Sequence, residues 1–176
     1  MRPRILARCT VALAALVAAQ PAAADERLAD PSGVFAYVVG DGWVADPDGN
    51  GFAIRCDGTD CGDAGAWCET AISGELPDAA VQDFLKEAPG TIDAKVRASA
   101  GSEAKFVPTT PMSWRDVGRK AGFYGEYDLK IKGEETLKSV VLHASSRKRL
   151  VILTCFSDAK RLPMIREIVE KSELPS

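Results

Sequence analysis

Cys56, Cys61 and Cys68 crowd into a stretch dense in aspartate and glycine, and Cys155 lies far downstream. Thiols so grouped could ligate a soft metal, exchange electrons or cross-link the chain. The spacings C-x4-C and C-x6-C lack the CxxC pattern of thioredoxin-like redox sites and zinc ribbons, which leaves cross-linking as the expected chemistry. The same stretch holds Asp46, Asp48, Asn50, Gly51 and Asp57. These satisfy the first half of a calcium loop, D-x-[DN]-x-[DN]-G, with an aspartate at the twelfth position, where several oxygens must converge from a chain that turns sharply at glycine. A hairpin turn needs the same residue types for backbone reasons. Phe52–Cys56 reads as a strand rather than an exiting loop, so the turn is the preferred reading and no metal site is assigned.

His143 is the only histidine, which excludes any cluster built on two imidazoles. It follows Val140, Val141 and Leu142 in an apolar run without a G-x-S-x-G or H-E-x-x-H context, so no catalytic residue is assigned. Glu126 and Asp128 alternate with Tyr127 and Leu129 and so share one strand face, expected to be solvated. A hydrolase using His143 with carboxylates is kept as an alternative, to be decided by whether a cleft converges on that histidine. Trp43, Trp67 and Trp114 are expected to anchor the core. No cofactor is implied.

The compartment decides how the cysteines are read. MRPRILAR supplies three arginines and no acid, an apolar segment runs from Thr10 to Ala19, and Pro21-Ala22-Ala23-Ala24 follows. This order is that of a secretory signal peptide, residues 1–24, cut before Asp25. The apolar run is shorter than the roughly 20 residues a spanning helix needs, and Cys9 leaves with the signal. Residues 25–176 are then one exported domain, periplasmic or secreted. There Cys56, Cys61, Cys68 and Cys155 form an even set that pairs into two disulfides, in any of three connectivities. Whichever holds, Cys155 closes a long loop back to the aspartate-rich segment.

The elements that position these groups follow from periodicity. Gly33 to Val39 reads as a strand ending at Gly40-Asp41-Gly42, Trp43 starts an extended piece, and Phe52–Cys56 and Trp67–Ile72 are further strands. Leu76-Pro77-Asp78 signals a helix start, with Val81, Phe84, Leu85 and Ala88 on one face and Pro89-Gly90 as the stop. From Thr91 the alternation of Ile92, Ala94, Val96 and Ala98 predicts a strand. Phe123, Gly125, Tyr127, Leu129 and Ile131 predict another. Leu137–Ala144 and Leu150–Phe156 predict a hairpin turning through Ser145 to Arg149. Asp158 can cap a closing helix striped by Leu162, Ile165, Ile168 and Val169, with Glu167 and Lys171 paired on its outer face. The expected class is α+β: an antiparallel sheet of about six strands with helices packed on it, stapled by disulfides.

The opening strand running into Gly40 to Trp43, the mid-chain helix, the late hairpin over 137–156 and the closing helix with Ile165, Ile168 and Ser172 together resemble the PsbP-like superfamily, which includes extrinsic subunits of photosystem II. The resemblance covers most of the chain after Asp25. It implies an α/β/α sandwich and an accessory, non-enzymatic protein that docks on a larger assembly. Cys56, Cys61 and Cys68 fall outside the pattern of that family.

Charge is divided along the chain. Residues 25–90 carry 14 acids against Arg27, Arg55 and Lys86, whereas residues 91–176 carry 16 bases against 11 acids. Export and the net negative sign disfavour nucleic acid despite Arg147-Lys148-Arg149. The expectation is an accessory module that binds a protein or envelope component, with calcium binding through residues 46–57 as a further alternative.

Overall fold

The computed structural model describes residues 25–46, 51–58 and 65–174. The predicted signal peptide, Asp48, Asn50 and Cys61 lie outside the described residues. Nine strands and three α-helices are present among them, in the order β1 (Glu26–Ala29), β2 (Ala36–Val39), β3 (Trp43–Asp46), β4 (Phe52–Cys56), β5 (Ala66–Ile72), α1 (Asp78–Leu85), α2 (Pro89–Ala98), β6 (Ala104–Val117), β7 (Lys120–Ile131), β8 (Leu137–Ser146), β9 (Arg149–Ser157) and α3 (Leu162–Lys171).

Seven strands form one antiparallel sheet in the order β3-β4-β5-β9-β8-β7-β6, and β1 pairs with β2 as a separate ribbon. Most neighbours in the sheet are hairpins. The exception, β5 against β9, joins the two halves of the chain, so the acidic first half and the basic second half share one sheet. Directly across that seam Cys68 opposes Cys155, and the two form a disulfide with Cα atoms 4.0 Å apart. Cys56 is also disulfide-bonded, its partner lying outside the described residues.

Strand residues alternate between two apolar layers. On one face α3 lays Ile165, Ile168 and Val169 against Tyr124, Leu142, Leu153 and the β2 residues Tyr37 and Val39. The Tyr37 hydroxyl lies 2.6 Å from Thr70 Oγ1, tying the ribbon to β5. On the other face α1 and α2 contribute Phe84, Ile92 and Val96 to a cluster with Phe106, Phe123, Tyr127 and Phe156. The sheet is thus sandwiched between helical layers, as the resemblance implied. Asp158 accepts from the Arg161 amide at 2.9 Å and starts a 3-10 turn that leads into α3. Glu167 and Lys171 pair at 2.8 Å on its outer face.

The β6–β7 turn is pinned beneath the end of α3. Gly118 has φ +62°, and a Cβ there would run into the Glu170 carbonyl. Two residues on, Lys120 Nζ donates to the carbonyls of Glu170 and Ser172, at 3.1 and 2.7 Å. These are unsatisfied carbonyls at a helix C-terminus, where a cation is favoured.

Residues 91–98 form α2 rather than a strand. Ile92 and Val96, four apart, bury one helical face, and Ala94 and Ala98 only coincide with a period of two. Pro89, expected to stop the first helix, instead opens the second as its first residue, where its missing N–H costs nothing. The long edge strand β6 was not anticipated; its register with β7 shifts twice between Pro108 and Ser113, and its exposed residues obscure the alternation.

Candidate functional site

The pairing register places four residues in one transverse row on the α1/α2 face. Trp114 on β6 opposes Phe123 on β7, Phe123 opposes His143 on β8, and His143 opposes Ile152 on β9. Opposed residues in antiparallel strands project to the same side. The helical layer covers this row unevenly. Phe84 is the one buried residue of α1, and its ring meets that of Phe123 edge-on at 5.4 Å. To either side, Trp114 is 43% exposed and Ile152 38% exposed. The α2 helix settles over β6 and β7, leaving the β8–β9 side open.

Between α1, α2 and the sheet this incomplete cover leaves a cavity of about 470 Å³. Val141 and Thr154 stand in its wall beside His143, while Ala80, Phe84 and Ile92 close it from the helices. The lining is mostly apolar, and its size falls within the range of small-molecule pockets.

His143 is the polar centre of this cleft. It is 8% exposed and is the cavity's one imidazole. Burial drives its pKa down to about 4; Lys95 pushes the same way and Glu87 opposes. The ring is therefore neutral at physiological pH, with one N–H donor and one acceptor nitrogen. No hydrogen bond to another described residue engages it. At the mouth, Lys95 Nζ meets both carboxylate oxygens of Glu87 at 2.8 Å, bridging α2 to the segment after α1. Asp83 also lines the cleft and makes no ion pair among the described residues.

The carboxylates singled out in sequence lie elsewhere. Glu126 and Asp128 share a strand face, but it is the opposite one, beneath α3. Nor is Glu126 solvated: it is 6% exposed and accepts from Arg166 Nε and Nη2, at 2.9 and 2.7 Å, and from the Tyr124 hydroxyl at 2.7 Å. Burial alone would raise its pKa, but the bonds from Arg166 and Tyr124 outweigh it and hold the carboxyl low. Asp128 pairs with Lys138 at 2.6 Å. A cleft does converge on His143, and the acids that reach it are Asp83 and Glu87; neither carboxylate hydrogen-bonds the imidazole and Glu87 is held by Lys95, so the acid–imidazole relay that a hydrolase needs is not assembled among the described residues. Asp83 and Glu87 carry no local signal that sets them apart from other acids on a helix, and Lys95 is hidden by the alternation that predicts a strand over 91–98; the Glu87–Lys95 contact at a spacing of eight residues is a tertiary fact.

The remaining candidates divide as follows. Asp46 and Asp57, the first and twelfth positions of the calcium pattern, both hold Arg55, at 3.2 and 2.9 Å; Phe52–Cys56 is a strand, and Asp48 and Asn50 lie outside the described residues. Among the described residues no group of three metal-binding side chains is assembled. Trp43 is buried, Trp67 stacks on Phe156 at 4.9 Å, and Trp114 stands exposed with its ring edge-on to Phe123 at 4.9 Å rather than in the core.

No protein-family model and no curated protein matches the sequence. Solved structures do match it in fold. Cyanobacterial PsbP (CyanoP) from Synechocystis sp. PCC 6803 superposes with a TM-score of 0.61 at 14% identity, over 93% of this chain and 99% of that one. LpqN of Mycobacterium tuberculosis, described as involved in cell envelope biogenesis, gives 0.50 at 14% identity, over 80% of this chain and 83% of that one. The Ran-binding protein Mog1p of Saccharomyces cerevisiae gives 0.52 at 8% identity, over 86% and 96%. The chain has a PsbP-like fold.

Proposed function

We propose that this PsbP-like chain is an exported accessory protein that acts by binding a protein or envelope component, and that the cleft over His143 is where binding occurs. The observation that carries the reading is the apolar cavity itself. A helix that buries one side chain, Phe84, lies over a sheet face that exposes Ile152 and ends at an exposed Trp114. Large apolar side chains left uncovered around a cavity mark a binding surface. The lining offers a neutral imidazole and a carboxylate already engaged by Lys95, an arrangement suited to holding a ligand. Among the structural neighbours, Mog1p is described as Ran-binding and LpqN as involved in cell envelope biogenesis, and both descriptions support the reading.

Export is supported by the order of charge, apolar run and small residues in 1–24 and by the Cys68–Cys155 disulfide, which an oxidising compartment maintains. Protein recovered from the periplasm or medium should begin at Asp25 by N-terminal sequencing; an intact leader would refute export. For binding, an envelope extract passed over the wild-type protein and over Ala80→Trp, whose indole fills the cleft from α1, should yield a component retained by the first and lost by the second. Equal retention would remove the cleft from the reading.

A further inference from the structure

Three features of the cleft bear on the chemistry of its occupant. His143 is more than nine-tenths buried, faces the cavity and has no hydrogen-bond partner among the described residues. Among the described residues only the Ser139 hydroxyl is sealed from solvent without a partner, so the imidazole nitrogens open on the cavity, where an occupant can meet them as donor and acceptor. The one cation among the described residues that line the cavity, Lys95, is committed through two 2.8 Å contacts to Glu87. Among the described residues the Asp83 carboxylate lines the cavity without an ion pair. An anion entering the cleft would thus lose water, find no free cation among the described residues and approach the Asp83 carboxylate, and stripping an ion of water without a partner is costly.

We infer that the cleft takes an uncharged, largely apolar molecule of linked-ring size with one hydrogen-bonding group directed at His143, and that it discriminates against anions of the same shape. The inference rests on the cleft being the binding site, as proposed above, and goes on to name the charge class of what it binds. Aromatic and aliphatic walls from Phe84, Ile92, Phe106 and Val141 supply contact area, and the imidazole fixes orientation through a single bond. The charged side chains that line the cleft with His143 are Asp83 and Glu87 from the α1 side and Lys95 from α2, two acids against one base.

Two fluorescent probes that differ only in a sulfonate provide the test. N-phenyl-1-naphthylamine is neutral and carries one N–H; 8-anilinonaphthalene-1-sulfonate adds the anion to the same ring system. Titrated at pH 7 into the folded, oxidised protein, the neutral probe should bind at least tenfold more tightly than the sulfonate. Ala80→Trp should abolish its binding. His143→Phe, which keeps the shape and removes the polar group, should weaken it roughly three- to tenfold, the value of one hydrogen bond. Thermal melts of both variants establish that they are folded. Equal affinity for the two probes would overturn the charge selection while leaving the cleft a binding site. Neutral-probe binding that survives Ala80→Trp would place the probe elsewhere and overturn the inference. Binding of neither probe would overturn the inference, whereas the reading beneath it falls only if wild-type and Ala80→Trp retain the envelope component equally.

Discussion

Arg166 on α3 grips Glu126 on β7 with two nitrogens, Nε at 2.9 Å and Nη2 at 2.7 Å, across the interface between helix and sheet. The carboxylate is buried, the guanidinium is 44% exposed on its side chain, and Arg115 lies over the adjacent Tyr124 ring at 3.5 Å. This polar cluster sits within the layer that α3 otherwise holds by Ile165, Ile168 and Val169. It orients the helix as well as attaching it, because a two-pronged guanidinium fixes an angle that aliphatic contacts leave loose.

The pair predicts an asymmetry. Arg166→Met strands a buried carboxylate and should cost about 1 to 2 kcal/mol, below the value for a fully buried pair because solvent screens the arginine. Adding Glu126→Gln to that variant should restore most of the loss, since the neutral amide can still accept from Tyr124. Urea denaturation of the single and double variants measures both; a double variant no more stable than Arg166→Met would remove the stranded charge as the cause.

The Cys68–Cys155 bridge closes a sequence separation of 87 residues across the seam between the two halves of the chain. Chain-entropy reasoning assigns such a closure about 4 to 5 kcal/mol. Cys68→Ala with Cys155→Ala should lower stability by an amount of that order. Both cysteines are fully buried, so dithiothreitol without denaturant should leave them oxidised for as long as the protein stays folded. Alkylation and mass spectrometry report this; rapid labelling of the pair under native conditions would show that the seam opens locally.

The parts of the fold legible in sequence are those in which one signal dominates. Leu137–Ala144 and Leu150–Phe156 carry apolar residues at successive positions, which marks interior strands, although on the α1/α2 side Ile152 is left exposed. The Ile165, Ile168 and Val169 stripe has a helical period and nothing else. Residues 91–98 failed because a spacing of four satisfies both periods, and the deciding fact, that Ile92 and Val96 face one sheet, is tertiary. The cleft was illegible for the same reason. His143 was visible as a residue, but its setting depends on how little of β9 the two helices cover. Glu126 was misplaced because alternation reports which residues share a face and not which face a later helix will cover; Arg166 lies 40 residues away.

His143 makes stability depend on pH in a defined window. The unfolded imidazole takes up a proton near 6.5, whereas burial delays uptake in the folded protein to about 4. Between these values the unfolded state binds more protons, so stability falls as the pH is lowered from 6.5 towards 4, by about 3 kcal/mol in total. Above 6.5 the group contributes no slope. His143→Leu should flatten this segment. The steeper loss further down, where Glu126 and Asp30 must protonate against lowered pKa values, should remain. Denaturant midpoints at half-unit steps give the curve; an unchanged slope in His143→Leu would assign it to other groups.

The β8–β9 turn holds Arg147 at φ 46° and Lys148 at φ 60°, both in the left-handed region and neither glycine. Two such residues between paired Ser146 and Arg149 give a tight hairpin of the type that asparagine and glycine favour, since it twists with its strands. Side chains with a Cβ are strained there, at a cost on the order of 1 kcal/mol each. The contacts they provide are weak in return. Lys148 pairs with an exposed Asp78 at 3.0 Å, and Arg147 reaches the Gly33 carbonyl at 3.5 Å. The bond from the Leu76 amide to the Lys148 carbonyl, 2.8 Å, is made by backbone and survives substitution. Arg147→Asn with Lys148→Gly should therefore stabilise the protein by about 1 kcal/mol, read as a higher urea midpoint at unchanged slope. A loss of stability instead would mean that the Lys148–Asp78 pair, which joins the hairpin tip to the start of α1, outweighs the relief of backbone strain.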